Sequence, residues 1–312
     1  MKTMKAVCIY SYGGPEVLAY EDAPRPHAGD GEVLVRVHAA GINPVDWKIR
    51  EGHLREILHH TFPLVLGWDV SGIVESVGPG ITRLKAGDAV FSRPDILRDG
   101  AYAEFIVIRE DECALKPTSI DHVHAAALPL ACLTAWQTLF DAGQLASGQR
   151  VLVHAAAGGV GSMAVQLAKG RGAHVVGTAS ARNHGFLRKL GVDQVVDYDT
   201  ELFEKVVQPV DVVLDTIGGE VQERSWTVLK PGGILISIAS PPSAEAAAAH
   251  GVRQAFVFTK PNAGQLAEIA ALVDGGKLKA IVETILPLSD ATRGQELSER
   301  GHTRGKIVLR VI

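Results

Sequence analysis

The stretch Val151–Gly161, VLVHAAAGGVG, reads as a buried strand, a tight glycine turn and the start of a helix. The helix continues as SMAVQLAKGRG, with Ala164, Leu167 and Ala168 on one face. A second apolar run, Ala173–Thr178, follows at the interval of a βαβ unit. That order commits this part of the chain to an α/β fold. Gly158 and Gly159 let the backbone approach a ligand with no Cβ in the way. Gly161 allows the helix to pack closely on the strand. The N–H groups of the turn and helix start, Ala157 to Gly161 with Val160 between, can hold a diphosphate. The full fingerprint is G-x-G-x-x-G, and Ala156 stands at its first glycine. The strand before, the helix after and the second strand supply the missing context. A dinucleotide site, and with it redox chemistry, is therefore the leading reading.

The chain of 312 residues is long enough for two ordinary domains, and its 46% hydrophobic content supplies ample core. A formal net charge of −4, with no basic block or aromatic–basic interleaving, gives no ground to expect a nucleic-acid partner. Cys8, Cys113 and Cys132 are widely spaced and form no CxxC pair, so neither a disulfide framework nor a thiolate metal cluster is indicated. The opening MKTMKAVCIY runs straight into a strand-like segment, without the apolar core of a secretory signal. No run of apolar residues is long enough to expect a membrane span. The expected setting is a reducing cytoplasm.

The first third of the chain is strand-rich. Lys5–Tyr10, Glu32–Ala39, Val70–Val77 and Tyr102–Ile108 are short β-prone segments separated by glycine turns. In Glu32–Ala39, Val33, Val35 and Val37 alternate with Leu34, Arg36 and His38, which puts one face in a core. From about residue 122 the character changes. Val123–Phe140 should be mostly helical despite Pro129. Strands are expected at Val151–His154, His174–Ala179, Gln194–Val196, Val210–Asp215 and Gly233–Ile238, with helices starting near Gly159, Arg182, Glu201 and Gly219. Near-continuous apolar strands with helices between them imply a doubly wound parallel sheet covered on both faces. Pro261–Gly275 reads as a further amphipathic helix, and Lys279–Leu286 and Lys306–Val311 as strands. The last strand is expected to return to the first domain. The resulting division is a mainly β domain over 1–122, completed by 280–312, and a nucleotide domain over 123–279. The cleft between domains is the default ligand site for such an arrangement.

Seven stretches in order resemble the medium-chain dehydrogenase/reductase superfamily, in its zinc-independent quinone oxidoreductase-like branch. They are AAGINPVDWKIREG (39–52), PLVLGWDVSGIVESVGPG (63–80), GDAVF (87–91), GAYAEF (100–105), LPLACLTAWQTLF (128–140), VLVHAAAGGVGSMAVQLAK (151–169) and RGKIVL (304–309). The resemblance implies a GroES-like catalytic domain beside a Rossmann cofactor domain. Alanine in place of the first fingerprint glycine is usual in that branch. Members often form homodimers, through a sheet edge.

NAD sites commonly end their second strand on an acid that holds the adenosine ribose. Here that strand ends Gly177-Thr178-Ala179-Ser180-Ala181-Arg182-Asn183, with no acid. A hydroxyl and a guanidinium would hold the extra phosphate of NADPH, so Ser180 and Arg182 favour that cofactor. The resemblance adds Tyr198 near the same phosphate. It also places Thr134 near the nicotinamide, together with the backbone at Ser240.

Zinc-dependent relatives carry a cysteine where this chain has Asn43 and a histidine where it has Trp68. Two ligands of a catalytic metal are thus missing, and no metal is expected. Without a Lewis acid, reduction of a quinone or an α,β-unsaturated carbonyl asks less of the protein than alcohol oxidation. Asn43, Asp46 and Lys48 are the polar residues expected nearest that event. Asn43 either donates to the substrate carbonyl or ties down its loop. Asp46 is expected to organise the loop or hold the cofactor ribose. Lys48 departs from the tyrosine of many members and resembles the alkenal/enone reductase-like variants. Trp68 is expected either as an apolar wall for a flat substrate or as core packing between domains. Phe256 and Phe258, two apart and hence on one face, either close the substrate pocket or make a subunit contact. The expected activity is NADPH-dependent reduction of quinones or enones. The alternatives are reduction of an enoyl thioester, or an NADPH-binding sensor with little turnover.

Overall fold

The computed structural model describes residues 2–312. Two compact units divide the chain: one runs through Leu130 and resumes over Lys260–Ile312, and the other is Ala131–Thr259.

The first unit begins with strands β1 (Thr3–Ile9), β2 (Ala19–Pro24) and β3 (Glu32–Ile42), and the short helix α1 (Pro44–Arg50). Strands β4 (Leu64–Val65), β5 (Val70–Val77), β6 (Ala89–Ser92), β7 (Phe105–Arg109) and β8 (Cys113–Leu115) follow, then helix α2 (His122–Ala126). In β3 the inward face is as expected, with Val33, Val35 and Val37 fully buried; on the other face Arg36 is exposed, but Leu34 is buried as well. The strand runs beyond the expected end through small residues. A Cβ on Gly41 would stand 2.5 Å from the Ala126 carbonyl and 2.8 Å from Asp69 Cβ, so glycine lets β3 lie against α2. Tyr102 precedes β7 instead of opening it. Its backbone bonds to Val7 and Leu66, 2.8 and 2.9 Å away, so this segment joins two other elements.

Helix α3 (Pro129–Trp136) passes from one unit into the other. Val123–Phe140 is mostly helical, as expected, in pieces divided at Pro129, which cannot donate within a helix but suits a first position. A π-helical turn, Gln137–Ala142, continues α3.

The second unit then lays down β9 (Arg150–Val153), α4 (Gly159–Gly170), β10 (His174–Ala179), α5 (His184–Lys189), β11 (Gln194–Asp197), α6 (Phe203–Val206), β12 (Val210–Asp215), α7 (Gly219–Ser225), β13 (Leu229–Ser237), α8 (Ala244–Ala249) and β14 (Arg253–Phe256). Its six strands are parallel, in the order β11-β10-β9-β12-β13-β14. The order in which strands are added reverses between β9 and β12, the switch point where ligands of open α/β sheets bind at the strand carboxyl ends. Helix α4 is buried from Gly161 to Ala168, more completely than the single apolar face expected.

The chain returns to the first unit with α9 (Ala263–Asp274), β15 (Val282–Pro287), α10 (Ala291–Glu299) and β16 (Lys306–Arg310). Strand β16 pairs antiparallel with β3, Ile307 facing Ile42, so the last strand completes the first unit's seven-stranded sheet. The expected boundaries move by eight residues at one end and about twenty at the other, from 122 to 130 and from 279 to 259. The larger shift brings α9 into the first unit. Asp274 at its end accepts hydrogen bonds from the backbone and hydroxyl groups of Thr118 and Ser119, at 2.7–3.1 Å.

Candidate functional site

In the second unit the strand–turn–helix is present as read. Helix α4 begins after Gly158, which has no side chain to cap it, and Gly158, Gly159 and Val160 are half-buried. The first helical amides therefore face outward as donors for an anion. A Cβ on Gly161 would sit 2.3 Å from the Ala155 carbonyl oxygen and 2.7 Å from Ala156 Cα, a distance no packing allows. Ala156 is buried, and its Cβ occupies space that a side chain at Gly177 would need, 2.8 Å away. This is how the turn works without its first glycine. Ala157 is buried beside it. An open helix mouth with glycine where the helix meets the turn fits a dinucleotide diphosphate.

The neighbouring carboxyl ends are tied together. Asp215, at the end of β12 and fully buried, accepts from the amides of Ile217 and Gly218 at 2.9 and 2.8 Å. Its other oxygen accepts from Gln222 Nε2 at 2.9 Å and Ser237 Oγ at 2.7 Å. Gln222 also donates to the Ser240 carbonyl at 3.1 Å, and Ser237 Oγ accepts the Ser240 amide at 3.3 Å. Ser240 thus lies at the strand ends, in a loop whose backbone is held from below. Thr134 is buried and shares a 2.6 Å hydrogen bond with Thr259.

Register brings the phosphate candidates side by side. Ala179 of β10 faces Asp197 of β11, so Ser180 and Tyr198 are the next residues out along adjacent strands. Ser180 is half-buried, Arg182 is exposed, and Tyr198 is 52% exposed. The acid on this edge, Asp197, is turned onto the Asp199 amide at 3.1 Å.

In the first unit Asn43 and Asp46 are buried. Asp46 Oδ2 accepts from the Asn43 amide at 2.8 Å and from the Tyr102 hydroxyl at 2.7 Å. Burial pushes the Asp46 carboxyl up to about 7, against the pull of those two donors and of Lys306. The Asn43 side chain is engaged at both ends: Nδ2 donates to Asp69 Oδ2 at 2.8 Å, and Oδ1 accepts from the Lys306 ammonium. Lys306 also pairs with Asp69 Oδ2 at 2.9 Å, and Asp69 Oδ1 accepts the Leu130 amide at 2.6 Å. Of the two roles open for Asn43, loop anchoring is the one this geometry describes, and Asp46 likewise organises the start of α1. Lys48 is half-buried, its ammonium 5.7 Å from the Trp47 ring. Trp68 is not on a pocket wall. It is fully buried in the core of this unit, and its indole N–H donates to the Arg98 carbonyl at 3.1 Å. Phe256, which ends β14, and Phe258 just beyond are 41% and 39% exposed at the sheet edge.

Asp69, Tyr102 and Lys306 were not singled out from the sequence, nor were His154, Thr178 and Asp215. A lysine heading an apolar run and a histidine ending one are polar residues out of pattern, and that was the available clue. Among the described residues no group of three or more His, Cys, Asp and Glu side chains could hold a metal ion.

The alcohol dehydrogenase GroES-like domain family matches residues 29–118, and the zinc-binding dehydrogenase family matches residues 190–309. A chloroplast envelope quinone oxidoreductase homolog of Arabidopsis thaliana is 36% identical, over 99% of this chain and 98% of its own. A chloroplastic NADPH-dependent alkenal/one oxidoreductase of the same plant is 35% identical, over 99% of this chain and 80% of its own. Among solved structures, the quinone oxidoreductase of Coxiella burnetii superposes with a TM-score of 0.93 and 36% identity, with both chains fully covered. Fold and site therefore define a two-unit dehydrogenase/reductase that works with a nicotinamide dinucleotide. The chain belongs to the medium-chain dehydrogenase/reductase superfamily, in its quinone oxidoreductase-like branch, and is an NAD(P)H-dependent oxidoreductase.

Proposed function

We propose that this protein reduces quinones or α,β-unsaturated carbonyls at the expense of NADPH. The observation that carries the cofactor choice is the end of β10, where Ser180 and Arg182 follow the strand with no acid and Tyr198 is the next residue out on the adjacent strand. Two relatives named for quinones and for alkenals and enones support the substrate class.

A dinucleotide with its diphosphate at the glycine turn would supply, from its reduced nicotinamide, the hydride for an electron-poor carbon. The open amides of α4 would hold the diphosphate, and Ser180, Arg182 and Tyr198 would hold the adenosine phosphate. Thr134 and the backbone at Ser240 are the groups assigned to the nicotinamide end and would hold it there. Asn43 and Asp46 fix the first turn of α1, and Lys48 on that helix is the donor assigned to the substrate oxygen as charge grows there. Solvent supplies the proton that completes reduction. Phe256 and Phe258 are assigned to the substrate wall. Their place on an edge strand also suits a homodimer joined through that edge. The three buried, unbridged cysteines suit a reducing compartment, and we assign the protein to the cytoplasm.

The test is NADPH and NADH oxidation in parallel across quinones, 2-alkenals, enones and enoyl thioesters. Turnover with the first three classes and preference for NADPH are expected. Turnover confined to enoyl thioesters, or tight NADPH binding without turnover, overturns the proposal. Sedimentation of the Phe258→Glu variant checks the dimer: a monomer is expected if the edge joins subunits.

A further inference from the structure

The β9–α4 turn contains a residue in an unfavourable conformation. Ala155 has φ 46°, in the left-handed region, which costs a residue with a Cβ about 1–2 kcal/mol. Its carbonyl carries the turn: it accepts the Gly158 amide at 2.9 Å, and it is the atom 2.3 Å from where a Cβ on Gly161 would lie. The direction of Ala155 therefore sets where the helix mouth opens.

Below it lies a buried row of polar groups. The Ala155 amide donates to Thr178 Oγ1 at 3.2 Å. Thr178 Oγ1 is 3.3 Å from His154 Nδ1, and His154 Nε2 is 2.9 Å from Ser225 Oγ. Ser225 Oγ is 2.6 Å from the Val221 carbonyl, which can only accept, so the serine proton goes there. Ser225 then accepts from His154, and Nε2 carries the imidazole hydrogen. Burial pushes the His154 imidazole down to about 4, so it is neutral and Nδ1 is a bare acceptor. Thr178 must donate to Nδ1 and is left to accept from Ala155. Every proton has one assignment, running from Ala155 through Thr178, His154 and Ser225 to Val221. The groups come from β10, α7 and the end of β9, so three elements converge on one strained residue.

We infer that His154 is a positioning residue for coenzyme binding, holding Ala155 in its left-handed conformation through the Thr178 hydroxyl and so fixing the diphosphate-binding mouth of α4. The inference rests on the reading of that mouth as the NADPH diphosphate site. It gives an outer role to two residues that touch no coenzyme, and it explains how alanine is tolerated where glycine would be at ease.

The experiment measures NADPH and 2′-AMP dissociation constants by titration calorimetry in the wild type, Thr178→Val, His154→Leu and each combined with Ala155→Gly. The probe 2′-AMP lacks the diphosphate and reports the Ser180–Arg182 side alone. Both single variants should weaken NADPH about tenfold, the worth of one hydrogen bond, and leave 2′-AMP within about twofold. Glycine at 155 needs no holding, so Ala155→Gly should restore most of the lost affinity. Thr178→Val is nearly isosteric and keeps the test open if His154→Leu does not fold. Unchanged NADPH affinity in Thr178→Val, equal weakening of both ligands, or no recovery with glycine overturns the inference alone. A wild type that does not bind NADPH overturns the cofactor reading with it.

Discussion

Lys306 shows how a single residue can be structural and charged at once. It is 3% exposed, and its ammonium is shared between Asp69 and the Asn43 side chain. Removing one partner of such a pair leaves the other charge buried without compensation, at about 3–5 kcal/mol. Lys306→Met should therefore lose stability of that order in urea unfolding, whereas Lys306→Met combined with Asp69→Leu should recover part of it. A single variant as stable as the parent would remove the pair from this account. Arg182 works the other way. It is exposed, so Arg182→Ala should leave stability nearly unchanged while weakening NADPH about ten- to a hundredfold, as loss of a charged hydrogen bond does. NADH should barely respond. Equal effects on the two coenzymes would sink its phosphate role.

At the scale of elements, the join between β9 and α4 tolerates almost no added volume. Gly161→Ala puts a methyl group against the Ala155 carbonyl, so α4 must shift or the turn must open. Coenzyme affinity should fall at least tenfold, about 1.4 kcal/mol, while far-ultraviolet circular dichroism stays that of the parent. Wild-type affinity would mean that the mouth does not hold the diphosphate. The strands of this sheet were legible because apolar runs bounded by turns are a strong pattern, and His174–Ala179 and Val210–Asp215 have the bounds read from sequence. The elements not foreseen lack such a pattern. Helix α10 buries only Ala291, Gly294 and Gln295, and approaches β3 because Gly294 has no Cβ to meet Ile42, 2.2 Å away. Strand β14, legible only through the same-face spacing of Phe256 and Phe258, has Arg253 and Gln254 exposed and is an edge with little apolar period.

Over the whole molecule, acid stability should reflect opposed titrations, with His154 and the similarly depressed His122 on one side and Asp46 on the other. His154 is depressed from 6.5 to about 4, so its contribution is complete above pH 6.5 and is lost as the pH falls toward 4. Asp46 is raised from 3.8 to about 7, so its contribution is complete below pH 3.8 and is lost as the pH rises through 7. His154 and Asp46 each contribute about 3–4 kcal/mol, and over their shared range these two largely cancel. Asp46→Asn removes the second and keeps an acceptor for the Asn43 amide and Tyr102 hydroxyl. Its urea midpoint should fall more steeply between pH 6.5 and 4.5 than the parent's. Parallel curves would show that Asp46 does not hold a raised proton affinity.

The sequence by itself determined the two-unit architecture, the parallel sheet and the glycine turn, because these rest on local periodicity and on residues close along the chain. It also marked the acid-free end of β10. Tertiary structure alone decided that Trp68 lies in a core, that Asn43 is spent on an anchor, and that Lys306 reaches residues more than 230 positions away. It alone set His154 beside Thr178, since only the pairing of β9 with β10 brings them together. Long-range polar contacts carry no periodic trace. They are fixed by which strand ends meet, and that is settled only when the sheets close.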